Sequence, residues 1–124
     1  MRRRERFPKD VFEDGEEPDA RFSLANERTF LAWVRTSLAL LAGAVAVHTP
    51  AVGLDDWVKT LASLCLLAAA GLAIGQSWSR WRATERSLRT GEPLPGFAGP
   101  VMLASVLGVL IVGVAIGVVV VALR

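Results

Sequence analysis

The fold is decided by Leu61-Ala62-Ser63-Leu64-Cys65-Leu66-Leu67-Ala68-Ala69-Ala70-Gly71-Leu72-Ala73-Ile74-Gly75-Gln76-Ser77-Trp78, a run without one charged side chain. A helix rises 1.5 Å per residue, and a hydrocarbon core about 30 Å thick takes about 20 apolar residues to cross. The uncharged segment extends from Thr60 to Ser79, after which Arg80, Arg82, Glu85, Arg86 and Arg89 follow at helical spacing. The run therefore predicts a membrane span over 61–78 whose helix continues past the membrane until Gly91, Pro93 and Pro95 stop it.

Working outward, two further spans appear. One covers about 29–47, contains a single charge, Arg35, and ends at Thr49-Pro50 and Gly53, since proline cannot donate and disfavours helix in the residue before it. Asp55, Asp56 and Lys59 mark a short wet loop. The other covers about 97–123, rich in Val and Ile and uncharged before the terminal Arg124. The expected fold is all-α, an integral membrane three-helix bundle over 21–124. Residues 1–20 mix Arg with Asp10, Glu13, Asp14, Glu16, Glu17 and Asp19, broken by Pro8, Gly15 and Pro18, and read as a flexible cytoplasmic tail. The first long helix begins near Arg21, with Ser23 or Asn26 as its expected N-cap.

Composition agrees with this division. The chain has 124 residues, room for one domain, and 52% of them are hydrophobic, more than a soluble domain of this size needs. The Arg-rich start is followed by acidic residues rather than by an apolar run and small-residue cleavage pattern, so the first apolar stretch reads as a retained helix and not a signal peptide.

Basic residues fall on one side. Arg2, Arg3, Arg4, Arg6, Lys9, Arg21, Arg28, Arg35, Arg80, Arg82, Arg86 and Arg89 share a face, while the other has Lys59 and Arg124. By the positive-inside rule the amino terminus is expected in the cytoplasm and the carboxy terminus outside, in a bacterial inner membrane. Trp33, Trp78 and Trp81 fall near the basic interface and Trp57 near the opposite one.

Arg28 and Arg35, seven apart, share a helix face with Ala32, Ala39, Ala42, Gly43 and Ala46. Arginine at membrane depth is costly unless it meets protein, water or headgroups, so this face is expected inside the bundle. Arg82, Arg86 and Arg89 form a second basic face, with Glu85 placed to pair with Arg82 or Arg89. Guanidinium binds phosphate in a bidentate fashion, so Arg21, Arg28, Arg35, Arg82, Arg86 and Arg89 together suit a phosphate-bearing ligand: an anionic lipid headgroup, a polyanion chain or an acidic partner segment. The competing reading is that juxtamembrane arginines serve topology alone. The pairs Ala39 with Gly43, Gly71 with Gly75, and Gly113 with Gly117 put one small-residue motif on each span, from which a homo-oligomer or a place in a larger membrane complex is expected.

The sole cysteine, Cys65, lies inside a span, and His48 with Asp55 and Asp56 offers too few nitrogen or sulfur ligands for a transition metal. No phosphate-binding glycine loop, nucleophile elbow or carboxylate pair is present, which argues against an enzyme. No cofactor is implied, and nucleic acid is not among the expected partners.

The stretch Leu24-Ala25-Asn26-Glu27-Arg28-Thr29-Phe30-Leu31-Ala32-Trp33-Val34-Arg35-Thr36-Ser37 resembles the signature of the bacterial YidH-like membrane proteins, known mainly as a domain of unknown function. Arg80-Trp81-Arg82-Ala83-Thr84-Glu85-Arg86-Ser87-Leu88-Arg89-Thr90-Gly91 resembles the same family's cytoplasmic connector, so the likeness covers about 21–123. That family is similar in turn to the three-helix membrane part of the eukaryotic vacuolar transporter chaperone, whose oligomers form a polyphosphate channel with basic residues at its cytosolic mouth. By that resemblance Arg21, Arg28 and Arg82 fall on basic positions of the motif. Arg35 does not, because the eukaryotic motif carries a polar uncharged residue there. The chain lacks a polymerase or phosphate-sensing domain, so synthesis is not implied.

The expected function is thus a non-enzymatic, oligomeric inner-membrane protein whose cytoplasmic arginines bind polyphosphate or acidic lipid, extended to a channel between protomers. The alternative is a structural or assembly subunit of a larger membrane complex.

Overall fold

A computed structural model describes residues 6–96 and 98–123; Arg2, Arg3, Arg4, Phe97 and Arg124, which entered the charge and span arguments, lie outside that range. Four helices follow in order: α1 (Lys9–Phe12), α2 (Ala20–Ala46), α3 (Asp56–Thr90) and α4 (Ala98–Ala122), and no strand occurs among the described residues. Three of them, α2, α3 and α4, are long and apolar enough to cross a membrane. The all-helical, three-span architecture expected from the apolar runs is the one observed.

Local chemistry sets the helix ends. The Asp19 carboxylate accepts from the Arg21 backbone N–H at 2.9 Å and caps α2. The helix therefore starts earlier than the expected caps Ser23 and Asn26, which lie within it and reach across to α3 instead. At 35 residues α3 is about 52 Å long, some 20 Å more than a hydrocarbon core needs. It stops at Gly91, whose φ of 72° places it in the left-handed region that glycine enters without a Cβ clash.

The helices form a row. α3 is central, α2 lies along one side, α4 along the other and α1 across the basic end of α3, while α2 and α4 do not meet. In the α2–α3 seam, Asn26 Nδ2 donates to the Trp81 carbonyl at 3.1 Å and the Ser37 hydroxyl to the Ala70 carbonyl at 2.8 Å. The Ser63 hydroxyl donates to the Ala44 carbonyl. Ala44, Ala69, Ala70 and Ala73 are buried around these bonds, so small side chains let the backbones approach and hydroxyls bond across the gap, as polar glue does in lipid. Most large apolar side chains on the outer faces, such as Leu31, Leu38, Leu64, Val109 and Ile111, are exposed, where acyl chains cover them in a bilayer.

This seam differs from the expected one. The face of α2 that meets α3 is Asn26, Phe30, Ser37, Gly43 and Ala44, and the stripe of Arg28, Ala32, Arg35, Ala39, Ala42 and Ala46 is exposed. Residue spacing explains it: Arg28 and Arg35 stand about half a helical turn from Asn26, and the hydroxyls and the amide supply bonds to α3 that an alanine stripe cannot.

The expected small-residue pairs fare unevenly. Gly43 faces Leu66, with 3.7 Å left for a Cβ, whereas Gly71, Gly75, Gly113 and Gly117 have nothing within 4 Å of where a Cβ would sit. Gly113 and Gly117 line an open apolar cleft of about 290 Å³ between α3 and α4. The close approach within the chain is made by Ser63, Ala70 and Ser77, spaced seven apart, rather than by the glycine pairs.

Candidate anion-binding site

The chemistry-bearing side chains gather where α3 leaves the apolar zone. Its basic face meets the amino-terminal segment, which packs against it over residues 6–19. Val11 is 1% exposed. The Phe7 ring stacks on Trp78 at 6.4 Å, and Phe12 lies 6.3 Å from Trp81. Apolar anchors within an otherwise acidic segment are what the charge count overlooked.

Arg82 pairs with the Asp10 carboxylate. Arg86 Nε donates to Asp14 Oδ2 at 3.0 Å, and its Nη2 donates to the Asp10 carbonyl at 3.3 Å. Asp10 and Asp14 are four apart, as are Arg82 and Arg86 on α3, so two four-residue spacings of opposite charge lie in register. Sequence contained both repeats, and only their complementarity went unread. Arg89 is nearly buried: Nη1 donates to the Phe12 carbonyl at 3.4 Å, the guanidinium carbon stands 4.7 Å from the Phe12 ring centre, and Nε lies 3.6 Å from Glu85 Oε1. A cleft of about 300 Å³ opens beside this face, lined by Val11, Trp78, Ser79, Arg82, Ala83 and Arg86.

Glu85 is the hub beneath. Of its two anticipated partners it pairs with Arg89, and it also accepts from the Ser23 hydroxyl at 2.9 Å and from Asn26 Nδ2 at 3.4 Å. Ser23 and Asn26 were thus functional positions in the architecture, read from sequence only as caps.

The six expected arginines divide into two groups. Arg82, Arg86 and Arg89 come together on α3. Arg21, Arg28 and Arg35, each seven residues from the next, are exposed along the side of α2 turned from α3. Asn26 opposite Trp81, Ser37 opposite Ala70 and Ala44 opposite Ser63 define one constant antiparallel register. Continued along the helices, it sets Arg21 level with Arg86, Arg28 level with Ser79 and Arg35 level with Leu72, about 12 Å deeper than Arg80. The two groups overlap in height but not in direction.

His48, Asp55 and Asp56 are exposed at the opposite end, and among the described residues no three of His, Cys, Asp and Glu gather as a metal-binding set.

Residues 21–87 match the family model described as Domain of unknown function (DUF202). The chain is 43% identical over 100 residues to an uncharacterized protein of Mycobacterium tuberculosis, spanning 79% of this chain and 80% of that one. It is 47% identical over 83 residues to the inner membrane protein YidH of Escherichia coli and of Shigella flexneri, spanning 65% of this chain and 71% of theirs. No solved structure matches. With three spans and inner-membrane relatives, the protein is a multi-pass inner-membrane protein. The chain belongs to the YidH-like family of membrane proteins, the domain of unknown function DUF202.

Proposed function

We propose that the protein is a non-enzymatic, oligomeric membrane protein whose cytoplasmic arginines bind a phosphate-rich anion, either polyphosphate or acidic lipid headgroups. The observation that carries this reading is that Arg82, Arg86 and Arg89 converge on one face of α3 and meet carboxylate and carbonyl oxygens there. A phosphate oxygen offers the same acceptor with more charge. Arg21 and Arg28 stand level with that face, on the side of α2 open to a second protomer, so a ring of copies brings both groups around one vestibule, and such a vestibule is the entrance of a channel. The basic side is cytoplasmic by the excess of arginine.

The test is binding of inorganic polyphosphate to the detergent-purified chain and of the chain to phosphatidylglycerol nanodiscs, compared with phosphatidylcholine ones. Arg28→Ala with Arg82→Ala weakens both; equal binding before and after those changes removes the proposed site.

A structural or assembly role is favoured by a different observation, the separate directions of the two arginine groups within one protomer. Copurification from mild detergent decides: a stoichiometric larger partner supports that role, a symmetric homo-oligomer the anion site.

A further inference from the structure

We propose that the amino-terminal segment, residues 6–17, is a tethered anion that occupies the arginine face of α3 and must leave before an external phosphate-rich anion binds there. This rests on the anion-binding reading and adds its regulation. The segment lies outside residues 21–87, the part that matches the family model.

Three features of the contact make it a seat rather than a chance collapse. The charges are matched residue for residue, Asp10 on Arg82 and Asp14 on Arg86, the arginines that face the open cleft. The backbone is fitted as well: Glu16 N–H donates to the Arg89 carbonyl at 3.1 Å, and Gly15, at φ 65°, lies so close to that carbonyl that a Cβ would collide with it. Apolar anchors complete it, with Val11 buried and Phe12 under the Arg89 guanidinium.

The seat is also releasable. The Arg82–Asp10 and Arg86–Asp14 pairs are each roughly half exposed, and exposed pairs contribute little and are screened by salt. A phosphate chain or a sheet of anionic headgroups presents more charge to the same guanidinium groups than two carboxylates do. Displacement exchanges one set of oxygens for another and leaves Arg89 held by Glu85.

The experiment uses the full chain. Hydrogen exchange at the Glu16 amide, bonded to the Arg89 carbonyl, reports docking directly, and that at Val11, Phe12 and Glu13, bonded within the segment, reports its local order. Addition of inorganic polyphosphate in detergent, or transfer from phosphatidylcholine to phosphatidylglycerol nanodiscs, is expected to raise exchange at these amides, and whichever arm does so identifies the source of the phosphate. Asp10→Asn with Asp14→Asn is expected to tighten binding of the same probe about three- to tenfold, the scale of two exposed ion pairs. Gly15→Ala, which unseats the segment without altering its charge, is expected to raise exchange before any anion is added. Unchanged affinity in Asp10→Asn with Asp14→Asn, together with exchange indifferent to a bound anion, overturns the tethered-anion proposal while leaving the site standing. Absence of binding in every form overturns the underlying anion site as well.

Discussion

The Ser23 hydroxyl donates to Glu85 Oε1 at 2.9 Å, tying the first turn of α2 to the part of α3 that has left the membrane. The same carboxylate receives Asn26 and stands against the nearly buried Arg89, so one acidic side chain organises the two helices that carry every expected arginine. Removing it leaves the Arg89 guanidinium poorly compensated in a buried position, an error that costs about 3 kcal/mol or more. Glu85→Ala is expected to lower the thermal midpoint in detergent by about 10 °C. Glu85→Gln, which keeps an acceptor for Ser23 and Asn26, should recover part of the loss. Equal midpoints for Glu85→Ala and the parent chain would remove the hub from the account.

Within the α2–α3 seam, contact distance matters more than the hydroxyls. Interhelical hydrogen bonds in a membrane average about 0.6 kcal/mol, because the separated helices find other partners in lipid. Ser37→Ala is therefore expected to change stability by less than about 1 kcal/mol. Ala73 is 0% exposed and faces α2, so Ala73→Leu forces the helices apart at about 1–3 kcal/mol. Denaturant titration followed by helix content ranks the two, and Ser37→Ala proving the worse would show that the bond, not the approach, holds the seam.

The glycines left idle within the protomer offer a test of assembly. Gly71 and Gly75 are exposed, with nothing within 4 Å of where a Cβ would project. If that face of α3 packs between copies, Gly71→Leu with Gly75→Leu keeps the protomer's thermal midpoint and lowers the mass of the complex seen by native mass spectrometry. An unchanged mass would remove that face from any assembly contact.

The spans were legible because lipid imposes a one-dimensional rule: an uncharged run such as 61–78 has few other uses, and Gly91 with its following prolines marks where α3 must stop. The faces were harder to read. Arg28 and Arg35 looked like an inner stripe because their cost in lipid demands cover, yet the seam is set by Asn26, Ser37 and Ala44, whose value lies in bonds to a partner that a single helix does not reveal. The seat of the amino-terminal segment was hard to read for a related reason. Its acidity resembles that of a solvated tail, and only the matched four-residue spacing of Asp10 with Asp14 and of Arg82 with Arg86 betrays that its partner lies far along the chain. Long-range complementarity is a relation between two stretches, invisible to any window that scans one.

Arg35 remains the most informative residue for telling a site from an anchor. It stands level with Leu72, about 12 Å inside Arg80, and is exposed on the side of α2 that α3 does not cover. An arginine at the centre of a span raises the insertion free energy by about 2.5–3.5 kcal/mol, less where the side chain can extend toward headgroups. Arg35→Leu is accordingly expected to improve insertion of the first span, read as the inserted fraction in a translocon assay. If the guanidinium lines a space shared between protomers, the same change weakens polyphosphate binding several-fold, whereas Arg35→Lys, which keeps the charge but loses the bidentate fork, weakens it less. Better insertion with undiminished binding would mean that Arg35 only reaches for headgroups. The basic face of α2 would then serve orientation alone, leaving Arg82 and Arg86 to carry the anion by themselves.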